Sequence, residues 1–140
     1  MVASCEELKI RYPEAETTRF GDSPELSDRL IVLIRSGKKT ATCGSLKSYR
    51  NDNEPIPVEG RCDIVLDWDG TPALVIETTE VTVRRFCEVD DDFALSEGED
   101  ESLEGWRAGH RAFFERNGGW DPVMELVCER FRLIEDLADH

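Results

Sequence analysis

Histidine and paired cysteines are scarce in this chain. Of its 140 residues only two are histidines, and its five cysteines are scattered without a C-x-x-C pair. An odd, dispersed set of cysteines does not make a disulfide framework, and no neighbouring histidines complete a zinc-finger pattern. We therefore expect free thiols in a reducing compartment, and we predict neither a metal nor a cofactor.

Long apolar runs are also missing. No stretch approaches the roughly 20 apolar residues that a helix needs to cross a bilayer. Residues 1–9 lack the basic start and the apolar stretch of a secretory signal. A chain of this length is expected to form one domain, so the prediction is a single cytoplasmic domain over residues 1–140 with no membrane partner.

Basic residues are few and unevenly placed. The net charge is −14, from 17 Lys and Arg against 31 Asp and Glu. Residues 1–60 carry nine basic and ten acidic side chains, whereas residues 61–140 carry eight and 21. Binding of nucleic acid over a whole surface needs clustered Lys and Arg, which this composition does not offer. The charge balance favours a small substrate, such as a single nucleotide, over a long polymer.

One stretch reverses the sign of the charge. Between Arg29 and Asn51 there are no acidic residues and six basic ones: Arg29, Arg35, Lys38, Lys39, Lys47 and Arg50. This concentration of polar chemistry in an acidic protein makes the stretch the candidate site.

The start of that stretch has a predictable local structure. Apolar residues at helical spacing follow Pro24, and Gly37 suits the left-handed position after a helix end. The chain then enters a short extended run. Alternate side chains of a strand share a face, so Lys39 and Thr42 would point apart unless the strand begins with a bend.

The remaining pattern predicts a sheet. Residues 51–60 are rich in turn formers and form a surface loop, a candidate lid. Cys62–Trp68 and Ala73–Val83 read as two strands of a hairpin around Asp69-Gly70, and Val123–Ile134 as a closing strand. Helices precede and interrupt these strands without a repeated β-α-β unit. The predicted class is α+β around a mainly antiparallel sheet or small barrel.

An acidic segment follows the hairpin. From Glu88 to Glu104 there are nine acids and no base, which is typical of a solvated face rather than a metal site. Glu97 is the exception, because it precedes Gly98, where the backbone can turn tightly and aim the carboxylate inward. In the next helix His110 lies on an aromatic stripe. A half-buried, hydrogen-bonded histidine is favoured there over a catalytic base.

The run Gly37-Lys-Lys-Thr-Ala-Thr42, after an amphipathic helix and before a hairpin, resembles the ASCH domain family. Other elements resemble larger bacterial members in the same order over about residues 20–134: Phe20–Pro24, Glu77–Val81, Ala94–Glu97, Trp106 with His110, and Val127–Phe131. The resemblance implies a PUA-like β-barrel with flanking helices. Family members are described both as RNA-binding modules and as amidohydrolases that remove the acetyl group from acetylcytidine.

The resemblance implies a lysine, a threonine and a glutamate as catalytic residues, which fall on Lys39, Thr42 and Glu97. Amide hydrolysis needs a nucleophile and a group that takes its proton. Thr42 would supply the hydroxyl, and Lys39, if desolvated among other cations, would act as the base. Glu97 would shuttle the proton or hold Lys39 in place. An ion-paired binding platform without turnover is an equal alternative.

Further residues of the basic stretch are candidates for substrate binding. An aromatic ring beside cationic groups suits a nucleotide, although each residue is equally compatible with a solvated surface. The predicted substrate-binding residues are Lys38, Thr40, Ser45, Lys47, Tyr49 and Arg50. The predicted partner is a small-molecule nucleoside or RNA. Non-catalytic RNA binding and RNA cleavage on the same cleft remain alternatives to hydrolysis of a small molecule.

Overall fold

The structure is a computed structural model that describes residues 5–137. Five α-helices and five β-strands follow one another along this part of the chain, and a short 3-10 helix (Phe86–Glu88) lies between the fourth strand and the fourth α-helix. In order they are α1 (Cys5–Arg11), β1 (Glu16–Arg19), α2 (Pro24–Arg35), β2 (Ala41–Ser45), α3 (Leu46–Asn51), β3 (Cys62–Leu66), β4 (Pro72–Arg85), α4 (Asp91–Ser96), α5 (Leu103–Arg116) and β5 (Glu125–Asp136). None of the helices described is long and apolar enough to cross a membrane.

The five strands form one mixed sheet in the order β1-β3-β4-β5-β2. The β1–β3 pair is parallel and the other three pairs are antiparallel. Register shifts interrupt β4 against β5 at Val75/Ile76 and Thr78/Glu80, and such bulges bend a strand. The sheet curls into a half-barrel with flanking helices, which confirms the predicted α+β, PUA-like fold.

The hairpin between β3 and β4 formed as its turn residues predicted. The Asp67 carboxylate accepts hydrogen bonds from the backbone N–H groups of Asp69 and Thr71, at 3.0 and 2.9 Å. Gly70 has a φ of +86°, which favours glycine. The turn thus satisfies its own donors and aligns the two strands of the sheet.

Helix α2 also begins and ends as predicted. Ser23 Oγ accepts from the backbone N–H of Leu26 at 3.2 Å, with Pro24 in the first turn. Gly37, just past the helix, has a φ of +83°. Ile31 and Ile34 pack on one face of the sheet with Val65, Leu74, Ile76 and Phe131. The helix therefore covers the face of the sheet on which Ile76 lies.

A second apolar cluster fixes the α4–α5 segment. Asp90 and Ser102 accept hydrogen bonds from the first turns of α4 and α5, respectively. Aromatic side chains from both helices and from the turn after β4 join buried residues of β2 and β5: Phe86, Phe93, Trp106, Phe114, Ala41 and Cys128. The acidic segment between the two helices is thereby held against the sheet.

Two elements were not predicted. Strand β1 is only four residues long, mostly exposed, and pairs in parallel with β3. Helix α3 has six residues and begins directly after β2, where Ser45 Oγ accepts from the N–H of Ser48 at 3.4 Å. Both elements are too short to carry a clear periodic pattern.

Candidate functional site

A cavity of about 700 Å³ lies between the sheet, α2 and α5. Every strand contributes to its lining, with Glu16 and Thr18 from β1, Asp63 from β3, Ile76 from β4, Glu129 from β5 and Thr42 from β2. The register explains the arrangement, because directly paired residues point to the same face: Glu16 pairs with Asp63, Asp63 with Ile76, and Thr42 with Glu129. The chain thus builds a polar cavity on a continuous sheet.

Lys39 is turned into this cavity by the backbone that precedes β2. The N–H groups of Lys38 and Lys39 both donate to the Leu33 carbonyl, and the Thr40 N–H donates to the Ser96 carbonyl. Strand β2 starts only at Ala41, so strict alternation does not yet apply to Lys39. The bend required by the sequence argument is present. Lys39 and Thr42 both line the cavity.

The Lys39 ammonium is enclosed by carboxylates. Its side chain is 2 % exposed, and Nζ donates to Glu97 Oε1 at 3.2 Å and to Glu99 Oε2 at 2.9 Å. Burial by itself lowers the pKa of Lys39, but the two carboxylates outweigh burial and raise it. The condition for a neutral Lys39, other cations around it, is not met, because the acidic segment after α4 folds over the lysine. Lys39 is therefore an ammonium in this state.

Glu97 is the centre of the buried network. It is 1 % exposed, and its Oε2 accepts from Trp106 Nε1 at 2.9 Å. Its Oε1 lies 3.2 Å from Lys39 Nζ and 3.4 Å from His110 Nε2. Burial alone raises the pKa of Glu97, but the Lys39 charge and the His110 and Trp106 donors together lower it below its usual range. Glu97 is a carboxylate whose oxygens are both engaged.

Gly98 allows Glu97 to take this position. It has a φ of +75°, and a Cβ there would lie 2.3 Å from the Lys38 carbonyl oxygen. The tight turn brings the end of α4 against the start of the basic stretch. The inward orientation of Glu97, expected from its glycine neighbour, is what the structure has.

His110 joins the network as well. Its Nδ1 lies 3.0 Å from the Trp106 carbonyl oxygen, which only accepts, so Nδ1 carries a hydrogen. The ring stacks on Trp106 at 4.2 Å between centroids, and Nε2 faces Glu97. Burial lowers the pKa of His110, but the Glu97 carboxylate outweighs it and raises the pKa. The half-buried, hydrogen-bonded histidine was predicted, whereas its contact with Glu97 was not.

Cys43, Glu97 and His110 have donor atoms that all lie within 4.8 Å of one another, close enough to hold a metal ion. Their present bonding opposes a cation. Lys39 Nζ already occupies the neighbourhood of Glu97 Oε1. Burial first, and Glu97 second, raise the pKa of the Cys43 thiol, which disfavours the thiolate that a metal requires. The group is better described as a hydrogen-bonded cluster.

The predicted substrate-binding residues separate into two groups. Ser45 and Tyr49 line the cavity. Tyr49 reaches it because α3 turns its ring back over Gly44, where an added Cβ would lie 3.1 Å from the ring. The other four residues are exposed and do not line the cavity: Lys38, Thr40, Lys47 and Arg50. Their role as substrate contacts stays a prediction.

A second polar cluster in the cavity was missed by the sequence analysis. We define the β-face cluster as Arg61, Asp63, Thr78 and Glu129. Arg61 Nη2 lies 2.8 Å from Asp63 Oδ2, and Thr78 Oγ1 donates to Glu129 Oε2 at 2.6 Å. Both carboxylates are almost fully buried. The signal available was an acid flanked by apolar residues within a strand, since charged residues are rarely buried without a partner.

The chain matches the family model for the ASCH domain over residues 16–135. A crystal structure of an ASCH domain from Lactobacillus crispatus JV V101 superposes with a TM-score of 0.80 at 32% identity, covering 93% of this chain and 86% of that one. The crystal structure of protein EF3133 from Enterococcus faecalis V583 superposes with a TM-score of 0.80 at 34% identity, covering 94% of this chain and 85% of that one.

A more distant structure, hypothetical protein PH0355, has a TM-score of 0.53 at 17% identity, covering 86% of this chain and 97% of that one, and is similar in fold alone. No match was found among curated proteins. The family match spans most of the chain, and the superposed ASCH domain shares the fold of the chain. The chain therefore belongs to the ASCH domain family.

Proposed function

We propose that this protein hydrolyses an amide bond on an acylated nucleoside, such as acetylcytidine, or on a similar small molecule. The observation that carries the proposal is a buried Lys39–Glu97–His110 network in the same cavity as the Thr42 hydroxyl. In the described part of the chain, no hydrogen bond engages that hydroxyl. Acyl transfer needs a nucleophile and a group that takes its proton, and the cavity is lined by a hydroxyl of the first kind and by groups of the second kind.

The cavity supports a small ligand. Its volume of about 700 Å³ lies within the usual range for small-molecule sites. Seven acidic side chains and five Lys or Arg line it, so the lining offers little attraction to a polyphosphate backbone. A neutral nucleoside suits this balance better than RNA.

The proposed reaction has two stages. Thr42 Oγ adds to the acyl carbonyl carbon while its proton passes to the neutral amine of Lys39. The C–N bond then breaks, and the Lys39 ammonium returns that proton to the leaving amine. Water attacks the acyl-Thr42 ester and loses its proton to Lys39, which gives it back to Thr42 Oγ as the acid is released.

This mechanism requires Lys39 to lose a proton that the resting state holds. Glu99 is the more exposed of the two carboxylates around Nζ. We propose that substrate entry separates Glu99 from Nζ, which removes one of the charges that stabilise the ammonium. Glu97 and His110 keep Nζ aimed at the cavity.

The first test is turnover of acylated nucleosides by chelator-treated protein, followed by mass spectrometry. We expect loss of the acyl group, with Thr42→Val lowering kcat by about 10³-fold or more because it removes the nucleophile and keeps the shape. Thr71→Val, an exposed position in the β3–β4 turn, is the matched control and should retain turnover. Full activity in Thr42→Val, or no turnover of any acylated nucleoside, would contradict the proposal.

RNA binding or cleavage is the competing function. It would draw on the exposed cations Lys38, Lys47 and Arg50, which lie outside the cavity. Binding of this kind weakens steeply with salt and requires these residues together. The variant with alanine at all three positions is titrated with single-stranded RNA. It should lose RNA binding if that is the function, and it should keep hydrolysis in the cavity.

A further inference from the structure

The β-face cluster has two carboxyl groups, Asp63 and Glu129, and one cation, Arg61. Asp63 is 3 % and Glu129 5 % exposed, and each lines the cavity. Arg61 pairs with Asp63, and burial raises the pKa of both carboxyls although the Arg61 charge lowers it. Two nearly buried carboxylates beside one guanidinium leave an excess of acceptors, which is costly unless a donor or a proton satisfies them.

One of these acceptors has no partner. Asp63 Oδ2 is paired with Arg61, but no hydrogen bond in the described residues reaches Asp63 Oδ1. Arg61 Nε is likewise buried without an acceptor. Asp63 Oδ1 is itself buried, so a ligand that presents an N–H donor to it must displace part of the cavity wall.

The cluster is placed beside the proposed nucleophile. Glu129 pairs directly with Thr42 across β5 and β2. Side chains at directly opposite positions have Cβ atoms about 5 Å apart on the same face of the sheet. A group held by Glu129 would therefore lie next to the bond that Thr42 attacks.

We infer that Asp63 and Glu129 form a subsite that accepts the N–H donors of a nucleobase amino group and rejects the oxo counterpart. The inference rests on the proposed function in taking a nucleoside as the ligand. An amino group donates two hydrogens to carboxylate oxygens, whereas a carbonyl oxygen in the same place faces acceptors. The subsite would thus hold the amine that leaves when the amide is cleaved.

Equilibrium binding tests this without catalysis. Two pairs of unacylated nucleosides exchange an amino for an oxo group, and with it an unprotonated ring nitrogen for an N–H: cytidine against uridine, and adenosine against inosine. We expect calorimetry to show the amino member of at least one pair binding about tenfold or more tightly than its oxo partner. Equal affinity within both pairs, or no binding of any of the four at millimolar concentration, would overturn the inference.

The Glu129→Gln variant sharpens the test. Its amide oxygen can keep the hydrogen bond from Thr78 while its NH₂ group offers a donor to the cavity. The preference should fall to about twofold or reverse toward the oxo nucleosides. Glu125→Gln, an exposed acid at the start of the same strand, is the matched control and should keep the preference.

Two outcomes separate this inference from the proposed function. If the protein prefers amino nucleosides but hydrolyses no acylated nucleoside, the subsite is supported and the proposed hydrolysis is contradicted. Conversely, Glu129→Gln could lower kcat and leave both KM and the amino preference unchanged. That result would make Glu129 a proton acceptor for Thr42 and would contradict the subsite. Asp63→Asn enters the same titrations as Glu129→Gln. Thermal unfolding of both variants shows whether a changed preference comes from a loss of folding.

Discussion

The two carboxylates that surround the buried Lys39 ammonium lie far from it in the sequence. Glu97 and Glu99 lie 58 and 60 residues away in sequence, and both carboxylates accept hydrogen bonds from the one Nζ. A buried ion pair of this kind contributes little net stability, but removing one partner leaves an uncompensated charge. The stability of the fold should therefore fall when one partner of the ion pair is replaced, and fall less when both partners are replaced together.

Lys39→Met should destabilise the fold by about 3 kcal/mol or more, because it leaves Glu97 buried without its cation. Urea unfolding measures the loss. The double variant Lys39→Met/Glu97→Gln should recover most of the stability, since it removes the unpaired charge as well. Lys9→Met, on an exposed face of α1, is the control. Equal stability of the single and double variants would mean that the Lys39–Glu97 pair does not couple.

Glu99→Gln should move the pH dependence of hydrolysis. Burial lowers the pKa of Lys39, but Glu97 and Glu99 raise it, so the neutral amine forms only at high pH and turnover should rise with pH. Loss of the Glu99 charge lowers the pKa of Lys39 and should shift that rising limb to lower pH.

Profiles of kcat/KM against pH provide the measurement for Glu99→Gln, because kcat/KM reports the free enzyme, in which Glu99 still contacts Nζ. Glu101→Gln, an exposed acid two residues away, should leave the limb in place. A limb that stays fixed in Glu99→Gln would show that a group other than Lys39 controls the rate.

At the scale of elements, the turn between α4 and α5 decides where Glu97 points. Gly98→Ala should cost more stability than Gly37→Ala. Both glycines have similar positive φ angles, but a Cβ at Gly37 meets nothing within 4 Å, whereas one at Gly98 would lie 2.3 Å from the Lys38 carbonyl oxygen. The shared backbone strain is about 1–3 kcal/mol, and the clash adds to it.

Thermal unfolding of both glycine variants isolates the contribution of the clash. Because the turn carries Glu97, Gly98→Ala should also lose hydrolysis, while Gly37→Ala should lose stability alone. Equal unfolding temperatures would contradict the close approach between the α4–α5 turn and the basic stretch.

Most of the elements were predictable because their signals are local. The Ser23-Pro24 start of α2, the Asp69-Gly70 turn and the Ser102 cap of α5 each act within a few residues. Strand β1 and helix α3 were missed because four to six residues carry no clear period. Strand β1 depends on its pairing with β3, and the Ser45 cap is the local signal of α3.

The candidate site was predictable only in part. Lys39, Thr42 and Glu97 were identified by resemblance, and the structure brings all three to one cavity; their catalytic roles remain predictions. The contact of Glu99 with Lys39 and the β-face cluster were not predicted. Both depend on which strands pair and on which helix folds over them, and no local pattern encodes that.

For the whole molecule, the acidic balance predicts weak dependence on salt. Hydrolysis of a neutral nucleoside should change kcat/KM by less than about twofold between about 50 and about 200 mM salt, whereas 6–10 phosphate contacts would cost about 10³–10⁵-fold in affinity. Initial rates at fixed pH measure this. A steep decline with salt would favour the RNA function and its exposed cations.

The register of the sheet also determines when the cavity can exist. Thr42 and Glu129 are paired neighbours but stand 87 positions apart in sequence, and β5 lies between β4 and β2. Closing so long a loop is slow, whereas the β3–β4 hairpin needs only a short turn. Strand β5, the last element in sequence, therefore completes the site: a nascent chain that has not yet reached Glu129 can pair its hairpin but has no cavity to bind a ligand.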